Sequence, residues 1–429
     1  MTENSYSLRW ALQSAARELL PGERVAGCLR WLQGGRKTVD ILHSAEVQKA
    51  HFKGLQTCGS VWADPVCASK ITERRRVELT GALAANPQYR VALVTLTLRH
   101  AAGDRLDAVL DPMLAAYRFI KSGRRWKEFV GDVGLVGSIR ALEVTLGKNG
   151  WHPHLHLLTF QDGGQPADLE GFLTERWLAA IERQGREALA GPGCDVRTAN
   201  ADVAAYIAKY GTQPIDTTFR WTLEHELAKG PAKRGKDGGG ETPTQLLANY
   251  LVGHKESGWR WQEYAHTFKG KRQLQWSRGL RDLLGLDKEL TDKELAEQQE
   301  KDSVLLAALS LSQWRAVLGN DCRGELLEVA SSGDAVKVYQ FLDSLGIGTD
   351  KAVVESHLDT NADFAEQYHA RADRKFIREP GQAVSVDLPP EPVKPFGRRG
   401  PVPGRQREIA GEKCGVVRAF ALADLGGGQ

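Results

Sequence analysis

Apolar residues run together or alternate at a few places along the chain, and these set the expected elements. Residues 89–100, YRVALVTLTLRH, are rich in β-branched side chains and read as a buried strand. Residues 138–160 read as strand, turn and strand, with Asn149-Gly150 as a hairpin signal. A short strand is expected near CDVRTA. Helical periodicity marks residues 104–130, 168–189 and 201–211, the last written ADVAAYIAKYG. Strand, helix, hairpin, helix, strand, helix is an order that fits an α+β domain with an antiparallel sheet. Outside this run the pattern weakens. Residues 1–57 are mixed, and residues 55–83 read as a cysteine-containing turn that leads into a basic helix. Residues 228–243 read as a flexible basic loop, residues 258–285 are basic and aromatic, and residues 287–345 read as helical and charged. From about residue 377 the chain is rich in Pro and Gly, and disorder is expected there.

Composition narrows the class without naming a function. The chain has 429 residues, enough for two or more domains, and a net charge of only +3. A case for nucleic-acid binding must therefore rest on local charge. The six cysteines are sparse and scattered, which argues against a disulfide framework and leaves metal binding open. No stretch is long and apolar enough to span a bilayer, and MTENSYSLRWALQ has no apolar signal core. A cytoplasmic protein with no membrane partner is expected.

The candidate chemistry starts at GWHPHLHLLTF, residues 150–160. His152, His154 and His156 are two apart, the spacing of side chains on one face of a strand, while Leu155 and Leu157 point the other way. Neutral imidazole is the commonest metal ligand. With Asn149-Gly150 as the turn, Glu143 falls opposite His156. With GKNG as the loop, Glu143 falls opposite His154. Either register sets one carboxylate beside two imidazoles, a three-ligand site for Mg, Mn or Zn with open positions. The bland alternative is a surface Glu–His pair on a histidine-rich strand.

The second informative stretch is the expected helix at 201–211. Asp202, Tyr206, Lys209 and Tyr210 are spaced i, i+4, i+7, i+8 and share a face. Val203 and Ile207 lie beside them, so tyrosines at the edge of a core stripe are the plain alternative. A phenol is a poor nucleophile at neutral pH and needs a polarised electrophile and a nearby cation. A metal on Glu143, His154 and His156, with Lys209 close by, would meet both needs for attack on a phosphodiester.

HPHLH in a strand followed by YIAKY on a helix resembles the HUH endonucleases, and plasmid rolling-circle replication initiators most of all. ALVTLTL, FKGKRQLQWSRGLR (268–281) and CGSVWADPVC (58–67) also resemble segments of these Rep proteins, over roughly residues 50–285. The resemblance implies an antiparallel-sheet HUH endonuclease domain with helices, an N-terminal zinc-ribbon-like segment and a helical C-terminal region. With the patterns above, the expected division is an N-terminal region with the zinc-ribbon-like segment over 1–86, a nicking domain over 87–225, a basic and aromatic DNA-contacting segment over 226–286, a helical region over 287–376 and a disordered tail over 377–429. His154 and His156 would be paired ligands and Glu143 the third, with His152 adjacent, holding Mg or Mn. Tyr206 would be the first nucleophile, with Lys209 in the Tyr-x-x-Lys pattern. Asp202 would activate water for the closing step. Tyr210 would be either a second nucleophile or a packing residue. Where the family's early segment carries Cys-Pro-x-Cys, this chain has Asp64-Pro65-Val66-Cys67, so Cys28, Cys58, Asp64 and Cys67 are candidates for a structural zinc or a metal-free remnant of one. Lys271, Arg272, Arg278 and Trp276 are candidates for DNA contact, since basic and aromatic side chains together suit unpaired strands.

The activity implied is metal-dependent, site-specific nicking and rejoining of single-stranded or hairpin origin DNA through a 5′-phosphotyrosine, freeing a 3′-hydroxyl primer. A host helicase would be a further partner. A rolling-circle transposase would use the same chemistry. A His/Glu metallohydrolase acting through bound water, or a DNA-binding protein with a decayed site, are the readings from other classes.

Overall fold

A computed structural model describes residues 5–163, 167–198, 240–300 and 302–348. In chain order the elements begin α1 (Ser5–Leu19), β1 (Thr38–Ser44), β2 (Lys49–Lys53), α2 (Pro65–Ala85) and β3 (Arg90–Leu96). Next come α3 (Leu106–Ile120), α4 (Gly123–Asp132), β4 (Leu135–Gly147), β5 (Gly150–Gln161), α5 (Ala167–Glu182) and β6 (Cys194–Thr198). They continue as α6 (Pro243–Leu251), α7 (Lys255–Phe268), β7 (Leu274–Trp276), α8 (Leu280–Leu283) and α9 (Asp292–Glu297). The last are β8 (Ser303–Ser310), α10 (Leu311–Gly319), α11 (Arg323–Ala330) and α12 (Ala335–Ser344). Among the described residues no helix is long and apolar enough to cross a membrane.

These elements form two units, and the expectation of an α+β chain with antiparallel sheets holds for both. One unit spans residues 1–31 and 55–299; the other joins 32–54 to the chain from 300 onward. The first is built on a five-stranded sheet of order β6-β3-β5-β4-β7 in which every pairing is antiparallel. The second has a three-stranded antiparallel sheet, β2-β1-β8, followed by α10, α11 and α12. In it Phe52 packs edge-on against Trp314 with ring centroids 5.0 Å apart, and Ser44 donates to Asp302 at 2.7 Å. β8 lies within a segment whose sequence reads as helical. VLLAALS is a continuous apolar run, which has no period by which to tell strand from helix.

The faces of the five-stranded sheet follow from the two-residue period. Val91, Leu93 and Thr95 on β3 share a face with Phe160, Leu158 and His156 on β5 and with Ile139, Ala141 and Glu143 on β4. One end of that face is apolar: Ile139, Ala141, Leu158, Phe160 and Leu274 pack with Leu79 and Ala82 of α2 and with Leu280 and Leu284. The other end carries the imidazoles. Pro153 sits in β5 where β3 has ended, since the β3–β5 ladder stops at Leu96 opposite Leu155. The strand has a single neighbour there, so a missing N–H is tolerated. That is how HPHLH can be a strand at all.

Candidate active site

The hairpin turns at Lys148 and Asn149, with Gly147 paired to Gly150. This is the register that places Glu143 directly opposite His154, with Thr145 opposite His152 and Ala141 opposite His156. Gly150 has φ 88°, and a Cβ there would come within 2.6 Å of the Ala101 carbonyl oxygen, so glycine is required. The tip is therefore one residue earlier than an Asn149-Gly150 loop would put it.

Glu143 does not close on its direct partner. Its Oε2 lies 2.9 Å from His156 Nε2, a diagonal contact along the ladder. The other ring nitrogen of His156 shares a hydrogen bond with Thr95 Oγ1 at 3.1 Å. His156 is thus held from both sides, with Nε2 aimed at the carboxylate. His154 stacks on it, ring planes 9° apart and centroids 5.8 Å apart, and its Nδ1 is buried with no partner. His152 follows at 4.1 Å from His154, and His100 at 4.7 Å from His152. Burial pushes His154 down to about 3 and His152 down to about 4, with neighbouring imidazoles adding to the effect. Both are neutral bases at pH 7, the form that ligates metal.

These atoms fit a divalent cation in two respects. The second nitrogen of His156 is anchored by Thr95, as a ligating histidine's usually is. The orphaned His154 nitrogen would gain a partner; left alone, such a group costs about 1–3 kcal/mol. Glu143, His154 and His156 nevertheless do not form a cluster with all ligating atoms within 4.8 Å of one another; among the described residues only the cysteine group does.

That group is Cys28, Cys58, Asp64 and Cys67, all buried and none more than 3 % exposed. Cys28 and Cys67 Sγ are 3.4 Å apart, Cys58 and Cys67 Sγ 3.8 Å, and Cys58 Sγ is 3.2 Å from Asp64 Oδ2. Asp64 has a second task. Its Oδ1 accepts from the backbone N–H of Val66 and of Cys67 and caps α2, with Pro65 in the first turn. Burial pushes its carboxyl up to about 6. Hydrogen bonds with Cys28 and Cys58 hold the Cys67 thiol well below its ordinary value, whereas hydrogen bonds with Cys58 and Cys67, together with burial, raise Cys28. Three sulfurs and one carboxylate oxygen in a dry pocket are a donor set that suits tetrahedral Zn²⁺.

The other sequence candidates separate. Tyr206, Lys209, Tyr210 and Asp202 lie outside the described residues, as does most of the basic loop. Arg272 and Arg278 are exposed. Lys271 pairs with Asp111 at 3.4 Å, and Trp276 is half-buried beneath the Arg281 guanidinium, 4.9 Å from the ring centre. Arg281 itself is tied to Glu78. Of the two tryptophans at the start of α7, Trp261 is core and Trp259 is exposed. Sequence reasoning missed Thr95, His100 and Asp195. Asp195 pairs with Thr95 on β6 and so faces the same way as His156, in an ion pair with Arg197 at 2.7 Å. The cross-strand register finds all but His100.

A model of a family described as replication protein matches residues 50–317, which take in Cys58 to Cys67, the whole five-stranded sheet and the 201–211 segment. The chain belongs to that family. A Streptomyces lividans relative named "Protein rep" is 28 % identical over 410 residues, covering 73 % of this chain and 87 % of the relative. A Streptomyces cyanogenus relative named "Neomycin resistance protein" is 32 % identical over 177 residues, covering 34 % of this chain and 40 % of its own. No solved structure matches. The protein is a plasmid replication initiator, in line with the resemblance carried by its motifs.

Proposed function

We propose that this replication protein starts rolling-circle synthesis by nicking one strand of origin DNA at the imidazole site of the five-stranded sheet, which would make that sheet the HUH domain. The observation that carries the reading is His156 gripped between Thr95 and Glu143, with the unpaired His154 nitrogen on the same face. A Mg²⁺ or Mn²⁺ ion held by Glu143, His154 and His156 would supply Lewis-acid polarisation of the scissile phosphate. Thr95 fixes the His156 ring, and the apolar end of the face keeps the strands in register beneath it.

The nucleophile is the Tyr206 phenol, on the segment that follows β6, the strand that carries Asp195 on this face. Its oxygen attacks phosphorus, the bond to the 3′-oxygen breaks, and the departing 3′-hydroxyl takes up a proton. The 5′-phosphate stays on tyrosine until a 3′-hydroxyl returns to displace it. Lys209, three residues on in the sequence, lowers the phenol's pKa or binds the phosphate, and Asp202 serves the closing step. The cysteine group would hold a structural Zn²⁺, with Asp64 linking it to the start of α2.

The reading is tested by incubating the protein with labelled single-stranded origin DNA and Mn²⁺. Cleavage at one position, lost in Glu143→Gln and in His156→Ala, is expected. Cleavage that survives both substitutions would move the chemistry elsewhere. A bound-water metallohydrolase would leave no protein-linked product, and a transposase would act on insertion-sequence ends in place of an origin.

A further inference from the structure

The corner where α3, α4 and α5 meet gathers positive charge that the imidazole site does not use. From Arg118 to Lys127 the chain reads RFIKSGRRWK, five cations in ten residues with no acid among them. Helix α5 brings more. Its stripe of Leu169, Leu173, Trp177 and Ala180 is buried, and Phe172, Arg176 and Arg183 form the row beside it. Two rings hold three guanidiniums together. Arg125 and Arg176 both lie over Phe172, each 5.5 Å from the ring centre. Arg176 also lies 5.8 Å, and Arg183 5.0 Å, from the centre of Phe119. Phe172 is itself stacked on the buried Phe129, with centroids 3.7 Å and planes 6° apart.

The three arginines are held to different degrees. Arg176 is the brace. Its Nε donates to the Ile120 carbonyl at 3.1 Å, and its Nη2 to those of Phe119 and Ser122 at 3.3 and 3.0 Å, which closes the end of α3. Arg125 forks onto Glu175 at 2.8 and 2.7 Å, but the two side chains are 58 % and 60 % exposed, and a pair that wet is weak. Arg183 is exposed and makes no hydrogen bond or ion pair through its side chain with the described residues. The platform is also tied to the imidazole site. Trp177 Nε1 donates to the Thr97 carbonyl at 2.7 Å, just beyond β3, the strand whose Thr95 holds His156.

We infer that this corner binds the phosphate backbone of duplex DNA flanking the nick, with Arg125 and Arg183 as the contacting side chains. Guanidinium forks held flat on aromatic rings match phosphate oxygens in geometry and charge. The rings themselves are taken: Phe172 carries Phe129 and two guanidiniums, and Phe119 carries two guanidiniums. Unpaired bases therefore find no free aromatic face to stack on, which favours a backbone contact over a single-strand one. Such a contact sets position and salt dependence and carries no base preference. The inference rests on the reading of the protein as a DNA-nicking initiator and adds where the duplex beside the nick is held.

The test is equilibrium binding of an origin duplex and of an unrelated duplex of equal length, over a salt series and without added Mg²⁺ or Mn²⁺. Arg183→Ala and Arg125→Ala are each expected to weaken both DNAs alike and to make the slope of log K against log salt shallower by about 1, the double variant by about 2. Arg183→Lys keeps the charge and is expected to keep the wild-type slope; a slope lost there as well would point to disturbed packing of Phe119 and overturn the proposal. Glu175→Gln releases Arg125 and is expected to tighten both DNAs. Unchanged slopes in the double variant, shown by thermal melts to be folded, or weaker binding by Glu175→Gln, would also overturn it. Poly-glutamate is the second probe. If the double variant loses poly-glutamate while its DNA affinity stays at the wild-type level, the corner docks an acidic protein and the proposal falls. No strand is cut in this assay. Nicking that survives His156→Ala would therefore sink the nicking reading and leave the salt slopes to decide the corner alone.

Discussion

The cysteine cluster and the imidazole row belong to one unit and use donors of related chemistry, yet they are built differently. In the cluster, four donor atoms lie within 4.8 Å of one another and are shut off from water. In the row, Glu143 and His156 are already paired, His154 keeps a buried nitrogen unpaired, and His152 and His100 trail toward the hairpin tip. Closed four-donor shells are the mark of structural metal, and incomplete ones leave room for substrate. The difference comes from the scaffolds. The cluster is made by three short segments wrapped on a helix start, where donors can approach from several directions. The row lies on a flat ladder whose spacing keeps side chains side by side.

The largest effect that would sharpen this contrast is metal removal. Cys67→Ala, or a strong chelator, is expected to take zinc content from one per chain to near zero and to cost several kcal/mol, since structural zinc binding in small domains is worth about 10–16 kcal/mol. Metal analysis paired with thermal melts checks it. The loss should spread, because Asp64 starts α2, and Arg75 of α2 donates to the Gln273 side chain at 3.2 Å beside β7. Melts that stay put after chelation would make the cluster a metal-free core.

Changes in the row should behave in the opposite way. Glu143→Gln or His156→Ala is expected to lower the nicking rate by roughly a hundredfold or more, with a far smaller shift in melting temperature. Thr95→Val, which removes the anchor of His156 and no ligand, is expected to lower metal affinity or rate about 10–100-fold for about 1 kcal/mol of stability. Titration of the activating metal separates these two effects.

The smallest effect is in pH. His152 and His154 have folded values near 4 and 3 against an ordinary 6.5. Between those limits the unfolded chain binds more protons, so they make stability fall as pH drops through that window. Asp64 has the reverse sign. It is raised to about 6 from 3.8, so the folded state binds more protons between those values and metal-free protein gains stability from it as pH falls. Metal-free melts across pH 4 to 7 should therefore steepen in Asp64→Asn and flatten in His154→Asn.

The sequence carries much of this, unevenly. The hairpin, the shared face of the histidines and the membership of Glu143 were legible, because strand period two leaves little choice. The register was open between two values, and the choice fell to Gly147 pairing with Gly150. Thr95 was not legible, since its contact with His156 needs the pairing of strands sixty-one positions apart. The cysteines were legible as candidates, and the structure brings them together. The capping role of Asp64 explains what a carboxylate can do there that a thiolate cannot.

What decides the proposed chemistry is whether a phenolic oxygen from the segment after β6 meets a phosphodiester at the imidazole row. The direct measurement is a denaturing gel of the protein incubated with Mn²⁺ and origin DNA labelled on the 3′ side of the nick. The expected result is a protein-linked band that vanishes in Tyr206→Phe and His156→Ala and persists in Tyr210→Phe. Cleavage without any linked band, or a band of full strength in Tyr206→Phe, would contradict it.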